Sequence, residues 1–279
     1  MEYSLSAPSL SISPRLDITF ALFGVLPYAV LAVFVAGILY RVYRWVDARL
    51  LTGLYNVNVG LYEDSRGAVT KDILKRVFLF YTLGDKEGDR ELYVGSMFFH
   101  WGIWVALAGH LGVVLPQPAL SAMGVTPQAH TFLCLYVGGT AGLVALVGVL
   151  LLADRRVRGV ESSVKVLNTY HIRVPLRRLS FLDDYFAVLI LLAIIASGLF
   201  QTFFVSQADL AHLANVSSWL WSLVVFHPNV SYIASFPSFQ VHMIIVMVFL
   251  AYFPWGKMLH LFSFLLMPST SRSAARVEM

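Results

Sequence analysis

Four histidines lie within two apolar stretches of the sequence, two in each stretch. The run HMIIVMVFLAYFPWGKMLH begins at His242 and ends at His260, and FFHWGIWVALAGH contains His100 and His110. On a continuous helix the 18 residues from His242 to His260 make five turns, so both rings would leave one face about 27 Å apart. The 10 residues from His100 to His110 span about 15 Å. Two such helices side by side could hold two metal centres, one near each face of a membrane.

Paired imidazoles are suited to a b-type haem. Neutral imidazoles that face each other across a gap between helices are the usual axial ligands of that group, and no cysteine is needed. Zinc normally takes three or four protein ligands, which two separate pairs do not supply. A single histidine inside a membrane is more often a core residue that is hydrogen-bonded to a neighbour. Four histidines in two pairs favour haem ligation, because polar groups at membrane depth are costly and usually functional.

The composition places the chain in a membrane. Of the 279 residues, 58% are hydrophobic and 13% are charged, and the mean hydropathy is +0.73, whereas soluble domains carry about 25% charged residues. The one cysteine, Cys134, excludes a disulfide framework, a thiolate-ligated iron–sulfur cluster and a cysteine zinc site. Any iron–sulfur chemistry in which the chain takes part therefore belongs to a partner protein.

The apolar stretches predict an all-α integral membrane protein, a five-helix transmembrane bundle that forms one domain over residues 1–279. The spans are predicted at about 18–40, 93–115, 130–153, 185–205 and 237–266. Between the first two, apolar and charged residues alternate at helical spacing over about 70–83, which predicts an amphipathic helix on the membrane surface. Two roles stay open for that helix: resting on lipid headgroups or docking a partner.

Lysine and arginine define the orientation of the bundle. Nineteen of the twenty lie in 41–92, in 154–182 or after residue 256, whereas the loops 116–129 and 206–236 have none. By the positive-inside rule, the N-terminus lies outside and the C-terminus is cytoplasmic. The net charge of +4 follows from this distribution and does not indicate binding to nucleic acid.

This orientation sorts the four histidines by level. The second span runs outward and the fifth runs inward, so His100 and His260 both lie near the cytoplasm. We name these two the inner pair. His110 and His242 both lie nearer the outside, and we name them the outer pair.

Other residues near the outer pair are candidates for contacts with ligands. Gly109 and Gly112 flank His110 and would let a flat macrocycle approach the helix, whereas close helix–helix packing explains most other small residues. His130 and His227 lie at the outer side and could hydrogen-bond a quinone headgroup, which offers carbonyl acceptors or, when reduced, hydroxyl donors. The alternative for both is an ordinary structural histidine.

The motifs resemble the gamma subunit of respiratory nitrate reductase, a di-haem cytochrome b. The likeness covers about residues 18–268 and is carried by SMFFHWGIWVALAGHLGVVLP, GVLLLADRR, WLWSLVVFHP and VHMIIVMVFLAYFPWGKMLHLFSFLLMP. The pattern His-x9-His followed by His-x17-His is specific to that group. The long polar segment after the first span, the FHP of the outer loop and AYFPWGKMLH with the trailing PSTSR are most similar to the DsrM-type membrane subunit of the sulfite-reduction-associated DsrMKJOP complex.

The resemblance implies two b haems, ligated by the inner and outer pairs, and a quinone site near the outer one, with menaquinone as the expected quinone. In the nitrate reductase relatives a lysine early in the third helix serves that site, and the matching position here is Phe132. The DsrM likeness implies a cytoplasmic iron–sulfur subunit similar to heterodisulfide reductase, within a larger complex in a prokaryotic cell membrane.

The sequence thus predicts the quinone-reactive electron-transfer subunit of an oxidoreductase complex. The gamma subunit of a nitrate reductase, which would feed a molybdenum enzyme, is the alternative. A transporter or plain membrane anchor is a remote alternative. It would call for acidic residues or broken helices at mid-membrane, whereas Asp17, Asp183 and Asp184 lie at the ends of spans.

Overall fold

The computed structural model describes residues 18–51, 66–80, 83, 90–166, 170–206 and 211–260, and most of them are helical. In chain order, the helices are α1 (Leu26–Leu51), α2 (Arg66–Leu79), α3 (Arg90–Val114), α4 (Gln117–Ala122), α5 (Pro127–Phe132), α6 (Gly139–Arg158), α7 (Leu176–Leu179), α8 (Leu182–Phe200), α9 (His212–Val224), α10 (Ser231–Ala234) and α11 (Pro237–Tyr252). π-Helical turns precede α1 and follow α5 and α8, at Ala21–Val25, Leu133–Gly138 and Gln201–Val205.

Four helical segments within the described residues are long and apolar enough to cross a membrane, judged by length and composition. They are Ile18–Asp47, Arg90–Val114, Pro127–Arg158 and Leu182–Val205. They match the first four predicted spans, and each is a few residues longer. Many large apolar side chains on them are exposed, among them Leu39, Leu111 and Leu189, each more than 60% exposed. Such a surface suits contact with lipid.

The fifth apolar helix is shorter than the predicted span of about 237–266. α11 ends at Tyr252, and residues 253–256 form a turn that leads to a short 3₁₀ helix, Lys257–Leu259. The cause is Pro254, which has no backbone N–H and whose ring clashes with the carbonyl four residues earlier. Residues 261–266 of the predicted span lie outside the described residues.

The helix predicted over 70–83 corresponds to α2. It begins at Arg66 and ends at Leu79, so it starts earlier than Thr70, while residues 81–82 lie outside the described part of the chain. Its exposed side chains include the basic Lys71 and Lys75 as well as the apolar Leu74 and Phe78.

The basic segment after α6 contains a hairpin that the sequence analysis did not predict. The strands β1 (Glu161–Val166) and β2 (Tyr170–Pro175) pair antiparallel, with Glu161 opposite Pro175. α6 ends at a left-handed residue, Gly159, with φ of 68°, which lets the chain leave the helix without steric cost. The hairpin is short and lies outside the helical segments, so the membrane-spanning part remains helical.

Close packing of α3 on α6 forms the centre of the bundle. A Cβ on Gly102 would lie 2.5 Å from the backbone nitrogen of Ala145, and a Cβ on Gly148 would collide with the backbone of Phe99. Phe99, Ala145 and Val149 are buried there. These glycines therefore serve helix–helix contact, as the sequence analysis expected for most of the small residues.

We expect Gly148→Ala to destabilise the bundle, because the added methyl group meets backbone atoms of α3 that cannot move away as a flexible side chain would. Overpacking of this kind costs about 1–3 kcal/mol, so the thermal midpoint in detergent should fall by roughly 5 °C. Gly138→Ala is the matched control, since its Cβ would meet only the Leu133 carbonyl, at 3.8 Å. Equal midpoints for the two variants would contradict this account of the helix contact.

Candidate functional site

The inner pair consists of His100 on α3 and His260, which lies at the end of the segment that follows α11. The ring centroids of His100 and His260 lie 6.0 Å apart, with their planes at 72°. Two imidazoles bound to opposite sides of one metal ion, with nitrogen–metal bonds of about 2 Å, have centroids about 6 Å apart. The two rings therefore stand at the separation that axial ligands of one metal ion require.

The outer pair also comes together, between α3 and α11. His242 is buried, and its imidazole lies within electrostatic range of the imidazole of His110. The structure thus places His100 beside His260, and it places His242 within electrostatic range of His110.

The two histidines of α3 are oriented by their own helix. Nδ1 of His100 donates to the Ser96 carbonyl at 2.8 Å, and Nδ1 of His110 donates to the Ala106 carbonyl at 2.7 Å. A carbonyl oxygen can only accept, so the ring hydrogen of a neutral imidazole lies on Nδ1. The lone pair is then on Nε2, which is the nitrogen that a metal-ligating histidine of this tautomer offers.

The two histidines on the other side show the same pattern with different acceptors. Nδ1 of His242 lies 2.8 Å from Oγ of Ser197 in α8. Because the Ser197 hydroxyl donates to the Ala193 carbonyl at 2.7 Å, it accepts from His242. Nδ1 of His260 lies 3.1 Å from the Lys257 carbonyl. All four rings thus use Nδ1 for orientation, and no spacing in the sequence pointed to Ser197.

Aromatic side chains surround His100. The rings of Phe80, Phe99 and Trp104 lie 4.8, 5.0 and 6.0 Å from its ring, centroid to centroid. Nε1 of Trp101 donates to the Phe78 carbonyl at 3.0 Å, which ties the end of α2 to α3. α2 therefore ends directly over the inner pair, a contact that the amphipathic pattern alone did not reveal.

The glycines near the outer pair differ in what they face. A Cβ on Gly109 would meet nothing within 4 Å, so the helix surface beside His110 is open. A Cβ on Gly112 would lie 2.7 Å from Nε2 of His130, so this glycine packs against that imidazole. On α8, a Cβ on Gly198 would lie 3.4 Å from Cε1 of His242. Gly109 therefore remains the better candidate for contact with a flat ligand.

The remaining outer histidines separate into three different situations. Nε2 of His130 is buried and has no hydrogen-bond partner among the described residues. His227 is exposed. His212 is buried, and its Nδ1 lies 2.8 Å from the Tyr232 hydroxyl, which identifies it as a core residue. Of these three, His130 is therefore the best candidate for a hydrogen bond to a polar ligand.

Gln201 is a buried polar residue that the sequence analysis missed. It begins the π-helical turn after α8, four residues beyond Ser197, so the two lie on the same side of the helix. It is 8% exposed, and within the described part of the chain its Oε1 has no hydrogen-bond partner. π-Helical turns often mark functional sites, and this turn contacts the corresponding turn after α5.

Within the described part of the chain, the candidate site consists of paired imidazoles and not of a larger cluster of ligating side chains. Among the described residues, no group of three or more histidine, cysteine, aspartate or glutamate side chains is placed to bind a metal ion. This arrangement differs from that of a structural or catalytic zinc site, which needs three or four protein ligands. Paired imidazoles are what a metal already bound in a planar macrocycle requires.

Comparison with known proteins identifies the family. The model of the nitrate reductase gamma subunit family matches residues 87–270, about two thirds of the chain. The chain therefore belongs to the nitrate reductase gamma subunit family. The matched region contains all four paired histidines, whereas α1 and α2 lie outside it.

Individual relatives support the same assignment. The chain is 25% identical over 247 residues to the nitrate reductase gamma chain of Bacillus subtilis, covering 87% of this chain and 90% of that one. It is 25% identical over 272 residues to the Hdr-like menaquinol oxidoreductase cytochrome b-like subunit of Archaeoglobus fulgidus, covering 86% and 76%. It is also 31% identical over 180 residues to the nitrate reductase-like protein NarX of Mycobacterium tuberculosis, covering 62% of this chain and 25% of NarX. These relatives support a membrane cytochrome b subunit with a role in redox electron transfer.

Proposed function

We propose that this member of the nitrate reductase gamma subunit family is a di-haem cytochrome b that exchanges electrons between a quinone and a cytoplasmic iron–sulfur partner. The observation that carries the proposal is the meeting of four imidazoles as two pairs, one of which has a ring separation of 6.0 Å. Each ring is oriented through Nδ1, which leaves Nε2 as the ligating nitrogen.

The residues present fit two b-type haems. Each pair supplies one imidazole from α3 and one from the α11 side, and the surface at Gly109 is open enough for a planar ring. We propose that His100 and His260 hold the inner haem, and that His110 and His242 hold the outer one. A haem bound at each pair would supply one-electron transfer. The chain's own residues set the ligand tautomer through Ser96, Ala106, Ser197 and Lys257, and such hydrogen bonds tune the basicity of a ligand.

The quinone site is proposed beside the outer pair. His130 offers a buried Nε2 without a hydrogen-bond partner in the described residues, and it lies against Gly112, two residues beyond His110. A quinone carbonyl or a quinol hydroxyl would meet that need. The Archaeoglobus relative is named a menaquinol oxidoreductase subunit, which supports menaquinone here. His227 is exposed and is the weaker candidate, although the sequence grouped it with His130.

A partner is needed because the chain has one cysteine and cannot hold iron–sulfur clusters of its own. The Hdr-like description of the Archaeoglobus relative supports a subunit similar to heterodisulfide reductase. We propose a sulfite-reduction-linked complex of a prokaryotic cell membrane on the resemblance of the sequence to the DsrM-type subunit. α2 is the proposed docking element, because it ends over the inner pair and exposes Lys71 and Lys75.

A second candidate is the gamma subunit of a nitrate reductase that feeds a molybdenum enzyme. The Bacillus relative favours this candidate, because the match extends over 90% of that protein's length. Both candidates share the haem ligands and the quinone site, and they differ in the partner. A reduced-minus-oxidised spectrum of the purified protein tests the shared core, and a protein without b-type haem bands would overturn both.

The pairing predicts which variants lose the same haem. His242→Ala and His110→Ala should each remove the outer haem, because each site needs both axial ligands, and haem content should fall from about two to about one per chain. His100→Ala should remove the inner haem instead. The midpoint potential of the haem that remains in each variant shows which of the two was lost. Loss of the same haem in His242→Ala and His260→Ala would show that the pairing is wrong.

The proposed orientation predicts which loops are accessible from outside the cell. In a Cys134→Ser background, a cysteine at Ser121, an exposed residue of α4, should react with an impermeant maleimide in intact cells. A cysteine at the exposed Glu161, at the start of β1, should react only after the membrane is opened. Labelling of the Glu161 position alone in intact cells would reverse the orientation.

The docking role of α2 predicts an effect of charge that leaves the haems intact. Lys71→Glu with Lys75→Glu should reduce the iron–sulfur protein that co-purifies from native membranes, measured as acid-labile sulfide per haem, because surface charges act mainly on encounter. Insertion and haem content should not change. If the sulfide-to-haem ratio also stays the same, α2 is a lipid-facing helix and the partner binds elsewhere.

A further inference from the structure

We propose that Arg41 of α1 and the aspartate pair Asp183 and Asp184 of α8 fix the segment 253–260 and so position His260. This inference rests on the proposed function, because it assigns these residues to the placement of the inner haem ligand. None of them ligates a metal ion, so they are positioning residues.

The segment needs external support because it is not part of a helix. After Tyr252 the backbone makes isolated turns, with Trp255 and Gly256 both donating to the Tyr252 carbonyl. The carbonyls of Pro254 and Trp255 lie beyond the helix end and need other donors. Pro254 is fully buried, and buried carbonyls without a donor are costly, so the two donors have to come from elsewhere in the bundle.

α1 supplies both of them. Nε of Arg41 donates to the Pro254 carbonyl at 3.0 Å, and an Nη of the same guanidinium donates to the Trp255 carbonyl at 3.0 Å. One turn earlier, Gly37 lies against the ring of Pro254, where a Cβ would stand only 2.6 Å away. The fixed fork of a guanidinium can satisfy two neighbouring carbonyls at once, which a lysine ammonium does less well.

α8 also holds the segment, through two aspartates. The Tyr252 hydroxyl donates to the carboxylate of Asp183, and Nζ of Lys257 donates to Oδ2 of Asp184 at 2.8 Å. Asp184 is 9% exposed, and the same oxygen accepts from the backbone N–H of Phe181, which caps the start of α8. The carboxylate is therefore fixed before it binds the lysine.

These contacts lead directly to the inner pair. Lys257 is held through its side chain, while its carbonyl accepts from Nδ1 of His260 at 3.1 Å. The ring of His260 then stands 6.0 Å from that of His100. Gly256 packs on the Tyr252 ring and leaves no room for a side chain, so the path between the two fixed points is tight. Displacement of the segment would tilt or withdraw the ligand.

The test compares Arg41→Gln and Asp184→Asn with Arg44→Gln in full-length protein in lipid nanodiscs. Arg44 is an exposed arginine on the same helix, so its variant loses the same charge without touching the segment. Hydrogen exchange of the amides of 255–260 measures how firmly the segment is held, and it can be measured with or without haem. Arg41→Gln should exchange about tenfold faster there, since hydrogen bonds from a charged donor are lost.

The haem readout then connects the segment to the ligand. The inner-haem signal is the one that survives His242→Ala, and its midpoint potential or electron paramagnetic resonance g values should shift in Arg41→Gln and Asp184→Asn. The outer haem in the same molecules should not change, and Arg41→Lys should lie between wild type and Arg41→Gln.

Either of two results would overturn the inference. One is unchanged exchange of 255–260 in Arg41→Gln, and the other is an equal change of both haems, which would indicate general loosening of the bundle. The two proposals can fail separately. If the wild-type protein binds no haem, the proposed function is wrong. If exchange of 255–260 is nevertheless faster in Arg41→Gln than in Arg44→Gln, Arg41 still fixes the segment.

Discussion

In the proposed haem sites, two imidazoles share one metal ion and must face each other with ring centres about 6 Å apart, a separation that the inner pair has. Straight helices cannot meet this requirement at two levels with the spacings of this chain. On α3 the histidines are 10 residues apart, about 15 Å, whereas 18 residues of continuous helix would separate the others by about 27 Å. α11 instead ends at Tyr252, 10 residues after His242, and the remaining eight residues form turns. The helical stretch from His242 to Tyr252 is then as long as the stretch of α3 from His100 to His110, and the turns after it bring His260 beside His100.

The break has consequences for elements far from it in sequence. Ending a helix frees backbone carbonyls, and buried carbonyls need another donor. The arginine of α1 that satisfies two of them is more than 200 residues away along the chain. α1 thus has a role beyond anchoring, although it lies outside the region matched by the family model. The charged residues at the start of α8 similarly combine helix capping with an ion pair to Lys257.

The hydrogen-bond pattern of the four rings links packing to redox chemistry. Each ring keeps its hydrogen on Nδ1, but the acceptors differ: main-chain carbonyls for three rings and a serine hydroxyl for His242. In the proposed haem sites, a ligand that donates to a stronger acceptor would be more basic, so the two sites would not be equivalent. Two aromatic rings further distinguish the inner pair, because those of Phe80 and Trp104 lie 4.8 and 6.0 Å from the ring of His100.

The sequence by itself determined the membrane class and the first four spans, because these depend on local hydropathy. It also predicted the pairing of the histidines from the order of the spans. The predicted fifth span, about 237–266, runs through Pro254. Only the tertiary structure decided that the helix ends there, that Arg41 and Asp184 hold the segment 253–260, and that Ser197 orients His242. Each of these contacts joins residues 45 to 214 positions apart, and no local pattern encodes such a contact. The tertiary structure also distinguished Gln201 and His130 from ordinary buried residues. Each has a buried side-chain atom without a hydrogen-bond partner among the described residues, which can be recognised only when the surrounding atoms are known.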